Sequence, residues 1–286
     1  MRLGVILPKN SANPGAGQKS SHEKEKPIMI KNSKFNRMMI TLIAALLILT
    51  AFPLHAQEQS AAKKSPWDAE AELGYLMTDG NTETQSVNFR FDITREVTRW
   101  KHNFHYETLF RSETDEDTGE EETTAHRFLV SAQSNYKFDA RNSAFLMGRY
   151  EDDRFSGYDY QYTLTCGYSR LFVKTESMEL SGEIGPGYRY SKIDDGTVAD
   201  DAEKEAILHV GGFFEYSFNS AAVFSQKVSV ETGEDKTITR SVTALKSQIA
   251  GSLAMKASYT LKHTSRVPPD TEKTDTETAL TAVYSF

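Results

Sequence analysis

The chain has 286 residues, of which 38% are hydrophobic, 26% charged and 11% aromatic, and its formal net charge is −7. A mean hydropathy of −0.52 excludes a bundle of transmembrane helices. The same value is compatible with a membrane β-barrel, because only every second residue of a barrel strand needs to be apolar. The negative charge argues against nucleic acid as a partner. The one cysteine, Cys166, cannot form an internal disulfide, and its strand pattern predicts a buried or lipid-facing side chain.

The N-terminal residues 1–56 are predicted to be an extension followed by a secretory signal peptide. The apolar run 39–52 is shorter than the roughly 20 residues that a transmembrane helix needs. Basic residues precede this run and small residues follow it, which is typical of a signal peptide. We expect cleavage between Ala56 and Gln57, with an uncleaved anchor as the alternative. Residues 57–66 then form a short polar lead-in.

From residue 67 onward, apolar residues recur at every second position and no helical period of useful length is found. The runs predicted as strands are 67–77, 83–93, 100–111, 123–138, 143–151, 158–172, 178–190, 204–218, 221–230, 237–249, 253–263 and 274–286. Runs of this length and alternation predict an all-β fold, a transmembrane antiparallel up-and-down β-barrel of about 12 strands over residues 67–286. The run 143–151 is compatible with either face pointing inward, and Gln226 interrupts the apolar face of its strand.

The connections alternate between short turns and longer, more acidic loops. The short ones are 95–99, 139–142, 173–177, 219–220 and 251–252, and the longer ones include 112–122, 191–203 and 265–273. Outer-membrane barrels have short periplasmic turns and longer external loops, so we expect both termini in the periplasm. Aromatic residues then gather near the periplasmic interface, namely Trp67, Trp100, Tyr136, Phe138, Phe172, Phe218 and Phe286. A soluble β-sandwich, the alternative fold, does not explain this belt.

The last strand is expected to close the barrel by pairing with the strand that begins at Trp67, because an open edge in lipid leaves backbone groups unsatisfied. Its lipid-facing side includes Leu280, Tyr284 and Phe286. Tyr284 and Phe286 resemble the endings of other barrels, which implies that they form a C-terminal assembly signal. The expected partners are therefore periplasmic chaperones, the barrel-assembly machinery, outer-membrane lipid and lipopolysaccharide, with localisation in the bacterial outer membrane.

Several stretches resemble one family. They are the Gly-Asn-Thr turn in 78–83, the segments 148–160 and 185–190, and the ending 273–286. Together they resemble the YdiY-like family, which is described as salt-induced outer-membrane proteins and classed as a domain of unknown function. The resemblance covers 67–286. It implies an outer-membrane barrel and a link to salt or osmotic stress, and it supplies no catalytic residues.

The inward faces of the predicted strands carry charges of both signs, which is typical of a self-plugged barrel or a narrow aqueous path. The candidates for lining the lumen are Arg90, Asp92, Lys101, His105, Glu107, Arg111, Arg127, His209 and Glu215. We therefore expect a non-enzymatic barrel without cofactor, acting as a narrow diffusion channel or a structural envelope protein.

Two other functions were weighed from the same residues. The acidic run 113–122 could hold Ca²⁺ or Mg²⁺ through its oxygen atoms, but its spacing matches no calcium loop, so no metal site is predicted. The alternative function is an outer-membrane hydrolase acting on lipid or peptide, with His105 and His209 as its best candidates. A hydrolase needs a nucleophile held beside a base, and no such motif is found.

Overall fold

A computed structural model describes residues 65–78, 82–115, 121–153, 156–193, 202–268 and 271–286. The predicted extension, the signal peptide and its cleavage between Ala56 and Gln57 lie outside the described residues. Within the described residues, no helix is long and apolar enough to cross a membrane.

Antiparallel strands form one closed barrel, which confirms the predicted fold class and strand number. The strands are β1 (Trp67–Thr78), β2 (Thr82–Glu96), β3 (Trp100–Asp115), β4 (Glu121–Lys137), β5 (Asn142–Asp153), β6 (Tyr158–Lys174), β7 (Met178–Ile193), β8 (Ala202–Ser217), β9 (Ala222–Gly233), β10 (Thr237–Ala250), β11 (Leu253–Thr264) and β12 (Thr274–Ser285). Each strand pairs with its neighbours in sequence, and β1 pairs with β12. Ala71 lies opposite Tyr284, and the N–H of Phe286 donates to the carbonyl oxygen of Ala69 at 2.9 Å.

At the end that carries the longer loops, several strands are longer than the sequence predicted, and the loops between them are shorter. β3 continues to Asp115 and β4 begins at Glu121, so the loop expected at 112–122 narrows to 116–120. The loop expected at 191–203 narrows to 194–201 in the same way. The predicted bounds were wrong here because both strands continue into the acidic stretches. An antiparallel ladder is made by backbone groups, and it continues past charged residues wherever their side chains reach water.

The end of the barrel with the connections 97–99, 138–141, 175–177, 218–221 and 251–252 is called the short-turn end below, and the opposite end is called the loop end. The two chain-terminal strands, β1 and β12, begin and end at the short-turn end. Large apolar side chains cover the outside between these ends. Trp67, Phe138, Phe218 and Phe286 are each more than half exposed at the short-turn end. The tyrosines Tyr150, Tyr160, Tyr162 and Tyr190 stack on one another toward the loop end. An apolar band between two aromatic belts is the exterior of an outer-membrane barrel.

Two strand faces that the sequence left open are now assigned. In β5, Phe145 and Met147 point inward and are buried, whereas Leu146 is 53% exposed on the outside. Gln226 of β9 lies on the outer face. Its side-chain amide donates to the hydroxyl of Ser241 at 2.9 Å and accepts from Thr243 at 2.5 Å. These two hydrogen bonds satisfy the side-chain amide of Gln226 and the hydroxyls of Ser241 and Thr243, which would otherwise face lipid without a partner.

The Gly185-Pro186-Gly187 motif allows β6 and β7 to approach closely. A Cβ atom at Gly185 would lie 1.9 Å from the carbonyl oxygen of Cys166. That neighbour is a backbone atom held in the ladder, so it cannot move aside as the end of a side chain would. The position therefore requires glycine for close backbone approach.

Candidate functional site

The inside of the barrel contains an ion-pair layer toward the loop end and a cavity toward the short-turn end. The ion-pair layer consists of Glu72, Arg90, Glu107, Arg127, Arg149, Glu151, Arg189, Glu205, Glu231, Arg240, Lys262 and Glu277. Period-two alternation brings these residues together, because it turns every second side chain of each strand inward. The cavity, called the vestibule below, has a volume of about 770 Å³.

Several ion pairs of the layer cross the lumen rather than joining neighbouring strands. Arg149 of β5 donates to Glu231 of β9 at 2.6 Å. Glu151 of β5 accepts from Arg240 of β10 at 2.7 Å and from Lys262 of β11 at 2.5 Å. β5 and β11 lie on opposite sides of the closed barrel. The lumen is therefore crossed from wall to wall at this level.

A second group of the layer joins both ends of the chain. Arg90 of β2 donates to Glu107 at 2.8 Å and to Glu277 of β12 at 3.2 Å. Arg127 of β4 donates to Glu277 at 2.7 Å and also to Glu107. Each carboxylate is thus shared by two guanidinium groups. This sharing satisfies more of their oxygen lone pairs than a single pair would.

A third group closes the layer beneath the turn between β9 and β10. Arg189 donates to Glu205 at 2.9 Å through Nε and to the carbonyl oxygen of Lys236 at 2.7 Å. Arg189 is 1% exposed, Glu205 is 5% exposed and Glu231 is not exposed. These three side chains are thus removed from solvent, and their ion pairs fill this part of the lumen. A buried pair is costly to desolvate and very costly to break, which favours one well-defined closed arrangement.

The vestibule extends from the layer to the short-turn end. Its mouth includes the turn residues Asp139, Arg141 and Asn142. One wall, from β2 to β4, is polar and contains Asp92, Lys101, His105, Gln133 and Asn135. The rest of the wall, from β5 to β10, contains the apolar side chains Met147, Leu171, Phe213, Val242 and Ala244. The cavity falls in the size range of small-molecule sites, roughly 300–1,000 Å³.

Two histidines connect the vestibule to the ion-pair layer. Nδ1 of His105 lies 2.8 Å from Asp92 in the vestibule, and its Nε2 lies 3.7 Å from Glu107 of the layer. His209 repeats the arrangement, with Nε2 3.1 Å from Glu183 and Nδ1 3.5 Å from Glu231. In the described part of the chain, neither ring is hydrogen-bonded to a hydroxyl or thiol group. Among the described residues, the polar contacts of both rings are therefore with carboxylates.

The sequence-predicted lumen residues divide into three groups. Six line the vestibule, namely Arg90, Asp92, Lys101, His105, Glu107 and His209. Arg127 lies in the ion-pair layer. Arg111 and Glu215 face inward by alternation but do not line the vestibule. Among the described residues, no group of three or more His, Cys, Asp or Glu side chains is placed to hold a metal ion.

Sequence reasoning placed several members of the ion-pair layer inward but missed Arg149, Glu151 and Glu231. Arg149 and Glu151 were overlooked because the inward face of β5 could not be assigned. Glu231 was overlooked because the predicted strand ended at residue 230. Residues two apart in a strand share a face, so Glu231 lies on the same inward face as Ser229 if β9 is extended beyond residue 230. The alternation that shows this is present in the sequence.

Comparison with known proteins gives both a family and fold relatives. The sequence model of "Protein of unknown function, DUF481" matches residues 71–286. The chain is 26% identical over 232 residues to the uncharacterized protein YdiY of Escherichia coli strain K12, covering 80% of this chain and 87% of that protein.

Solved structures similar to the chain include membrane barrels. The NanC porin has a TM-score of 0.43 at 13% identity and covers 76% of this chain and 97% of its own. The COG4313 outer membrane channel from Pseudomonas putida F1 has a TM-score of 0.47 at 9% identity, covering 82% and 100%. The translocator domain of autotransporter NalP from Neisseria meningitidis also has a TM-score of 0.47, at 10% identity, covering 87% and 96%. With its family model matched from residue 71 to residue 286, the chain belongs to the DUF481 family.

Proposed function

We propose that this chain is a non-enzymatic diffusion channel of the bacterial outer membrane, closed in the described state by its ion-pair layer. The observation that carries the proposal is the vestibule of about 770 Å³, which reaches the short-turn end and stops at the layer. A vestibule that ends on movable side chains, rather than on a packed apolar core, can become a continuous aqueous path when those side chains separate.

The chemistry of the layer supports gating. Its members are charged and can be hydrated once the pairs separate, whereas an apolar plug would resist water. The cross-lumen pairs come from side chains, so opening needs no change in the strand ladder. The barrel wall would therefore remain intact while the lumen opens.

Planar-bilayer recordings of refolded protein test the proposal. The Glu231→Gln variant removes the carboxylate that accepts from Arg149 and Arg240, and it leaves these cations facing each other. We expect conductance steps severalfold more frequent than in the wild type. The matched control is Glu176→Gln, which removes one exposed carboxylate in the turn 175–177 and should behave like the wild type. Complete absence of steps at any voltage in both wild type and Glu231→Gln would contradict a channel.

A structural envelope barrel is the second candidate, and the buried cross-lumen pairs favour it because they stabilise a closed barrel. In that case a deletion strain should become sensitive to detergent, and the Glu231→Gln protein should restore resistance without conducting. The hydrolase alternative has weaker support. An activity screen against lipid and peptide substrates, with His105→Ala and His209→Ala as variants, would exclude these histidines if both variants keep any activity found.

The proposal places the short-turn end in the periplasm and the loops outside. The alternation of turn and loop lengths supports this orientation. Protease added to intact cells should then cut within 116–120 or 194–201 and spare 138–141. Cleavage of the short turns from outside would reverse the orientation. The link to salt rests on the family resemblance alone, and the protein level in cells shifted to high salt tests it.

A further inference from the structure

Lys227 of β9 lines the vestibule, and no carboxylate of the described residues forms a hydrogen bond or an ion pair with it. Its side chain is exposed, and it lines the cavity. Among the ion pairs of the described residues, none includes Lys227. Its direct cross-strand neighbours are Phe213 of β8 and Val242 of β10, which cannot neutralise it.

Two other inward-pointing lysines of this barrel, Lys256 and Lys262, are paired with carboxylates. Lys256 lies 2.5 Å from Glu72, and Lys262 lies 2.5 Å from Glu151. The contrast shows that the fold provides a carboxylate for lysines elsewhere in the lumen. Lys227 lies near Asp92 and Glu183 but forms an ion pair with neither, so a bound anion could serve as its direct partner.

The carboxylates of the vestibule are already engaged with other groups. Each of them has a hydrogen-bonding or ion-pair partner within the protein, and they are Asp92, Glu96, Glu107, Asp139, Glu179 and Glu183. Glu183 illustrates this, because it accepts from Gln133 at 2.9 Å and lies 3.1 Å from Nε2 of His209. A side-chain shift toward Lys227 would break these contacts.

The mouth of the vestibule also favours anions. Lys101 and Arg141 line it, and neither takes part in an ion pair among the described residues. Cations at the mouth of a low-dielectric cavity raise the local concentration of anions. An anion would therefore be attracted at the mouth and held further in.

The wall around Lys227 selects for more than charge. Phe213, Val242 and Ala244 of the flanking strands β8 and β10 line that side of the cavity, and Ala244 is buried. A small inorganic anion would satisfy Lys227 but would leave this apolar wall against water. A ligand with an apolar body would cover it and gain free energy from the buried area.

We propose that the vestibule binds a small organic carboxylate with an apolar body, its carboxylate on Lys227 and its body against Phe213 and Val242. Binding of the anion does not depend on the proposed channel function. Only its role does, because the anion would then be a solute that passes through the channel. Binding itself does not require the ion-pair layer to open.

Isothermal titration calorimetry with benzoate tests the proposal. The barrel is reconstituted in lipid nanodiscs, and empty nanodiscs provide the blank for partitioning of benzoate into lipid. Lys227→Met removes the charge while keeping a side chain of similar length. Because a hydrogen bond to a charged group is involved, we expect the affinity for benzoate to fall by about tenfold or more.

The control is Lys204→Met on β8, whose ammonium group lies outside the lumen over the ring of Tyr190. This variant should bind benzoate as the wild type does. Both variants should keep the heat-dependent gel mobility of a folded barrel. Equal binding by the wild type and Lys227→Met, or no saturable binding by the wild type, would overturn the site.

Two further probes test the chemical class. Benzyl alcohol keeps the apolar body without the charge, and inorganic phosphate keeps a charge without the body. Each should bind at least tenfold more weakly than benzoate, and comparable binding of either would overturn the assigned class. Saturable benzoate binding without conductance would uphold the site and reject the channel, whereas conductance without binding would do the reverse.

Discussion

Nη2 of Arg240 lies 2.7 Å from Oε2 of Glu151, although their strands β10 and β5 are not neighbours and lie on opposite sides of the barrel. The same carboxylate accepts from Lys262 at 2.5 Å. One buried glutamate thus joins two cations of the far wall. This contact crosses the lumen from one wall to the other.

Glu151→Gln should destabilise the barrel strongly. The substitution leaves Arg240 and Lys262 buried without their negative partner, and breaking a buried pair costs about 3–5 kcal/mol. Urea unfolding in lipid vesicles, followed by tryptophan fluorescence, measures the loss.

The control for Glu151 is Glu179→Gln, which removes a carboxylate from an ion pair with the exposed Lys174. Lys174 is 64% exposed at the mouth of the vestibule, and a solvated pair contributes about 0–1 kcal/mol, so this variant should unfold close to the wild type. Equal losses for the two variants would show that the cross-lumen pairs add no special stability.

Gly185→Ala should impair folding because its Cβ would collide with the carbonyl oxygen of Cys166. Overpacking of this kind costs about 1–3 kcal/mol. The fraction of folded protein on an unheated gel and the urea midpoint should both fall. Gly212→Ala is the matched control, because a Cβ there meets nothing within 4 Å. That variant should be as stable as the wild type or up to about 1 kcal/mol more stable.

The turn between β4 and β5 should lose stability in acid. The side chain of Asn142 and the backbone N–H of Arg141 donate to Asp139 and hold the pKa of its carboxyl below the ordinary value of 3.8. Because the pKa is lower in the folded state, the stabilisation is present above the unfolded-state value and is lost as the pH falls through the folded-state value.

Comparison of urea midpoints for the wild type and Asp139→Ala over pH checks this expectation. The wild type should be more stable at neutral pH, and the difference should shrink as the solution is acidified. Glu176→Ala, in the exposed turn 175–177, controls for a general charge effect. A gap between wild type and Asp139→Ala that stays constant down to acidic pH would contradict the mechanism.

The hypothesis that Tyr284 and Phe286 form an assembly signal stays a prediction. It predicts that changing Phe286 slows insertion of the barrel in cells more than it lowers the stability of the folded barrel. Phe286 packs edge-to-face on Tyr284 with ring centroids 4.9 Å apart, and it is 56% exposed on the outside. Phe286→Ala should lower stability in vitro by at most about 1.5–3 kcal/mol. In cells, however, it should accumulate in the periplasm or be degraded.

Phe218→Ala provides the comparison, because Phe218 is 59% exposed in the same aromatic belt but lies in a turn. It should show a similar loss in vitro and normal insertion in cells, measured as the amount of barrel in the outer-membrane fraction. Insertion of Phe286→Ala at wild-type levels would exclude the signal hypothesis.

The sequence alone determined the architecture of this protein. Alternation is a local property, so it can be read along a strand without knowing what lies opposite. An open edge in lipid would leave backbone groups unsatisfied, so β1 must pair with β12. The even number of strands makes this closing pair antiparallel like the others. For these reasons the strand number, the closing pair and the inward position of Arg90, His105 and His209 could be predicted.

Only the tertiary structure decided how the lumen is filled. The contacts of Glu151 with Arg240 and Lys262 join strands far apart in sequence, and their geometry depends on barrel diameter and stagger rather than on periodicity. The inward face of β5 was ambiguous because it carries Phe145 and Met147 beside Arg149 and Glu151. Alternation could place Lys227 inside, but only the positions of all surrounding carboxylates showed that its charge is left without a partner.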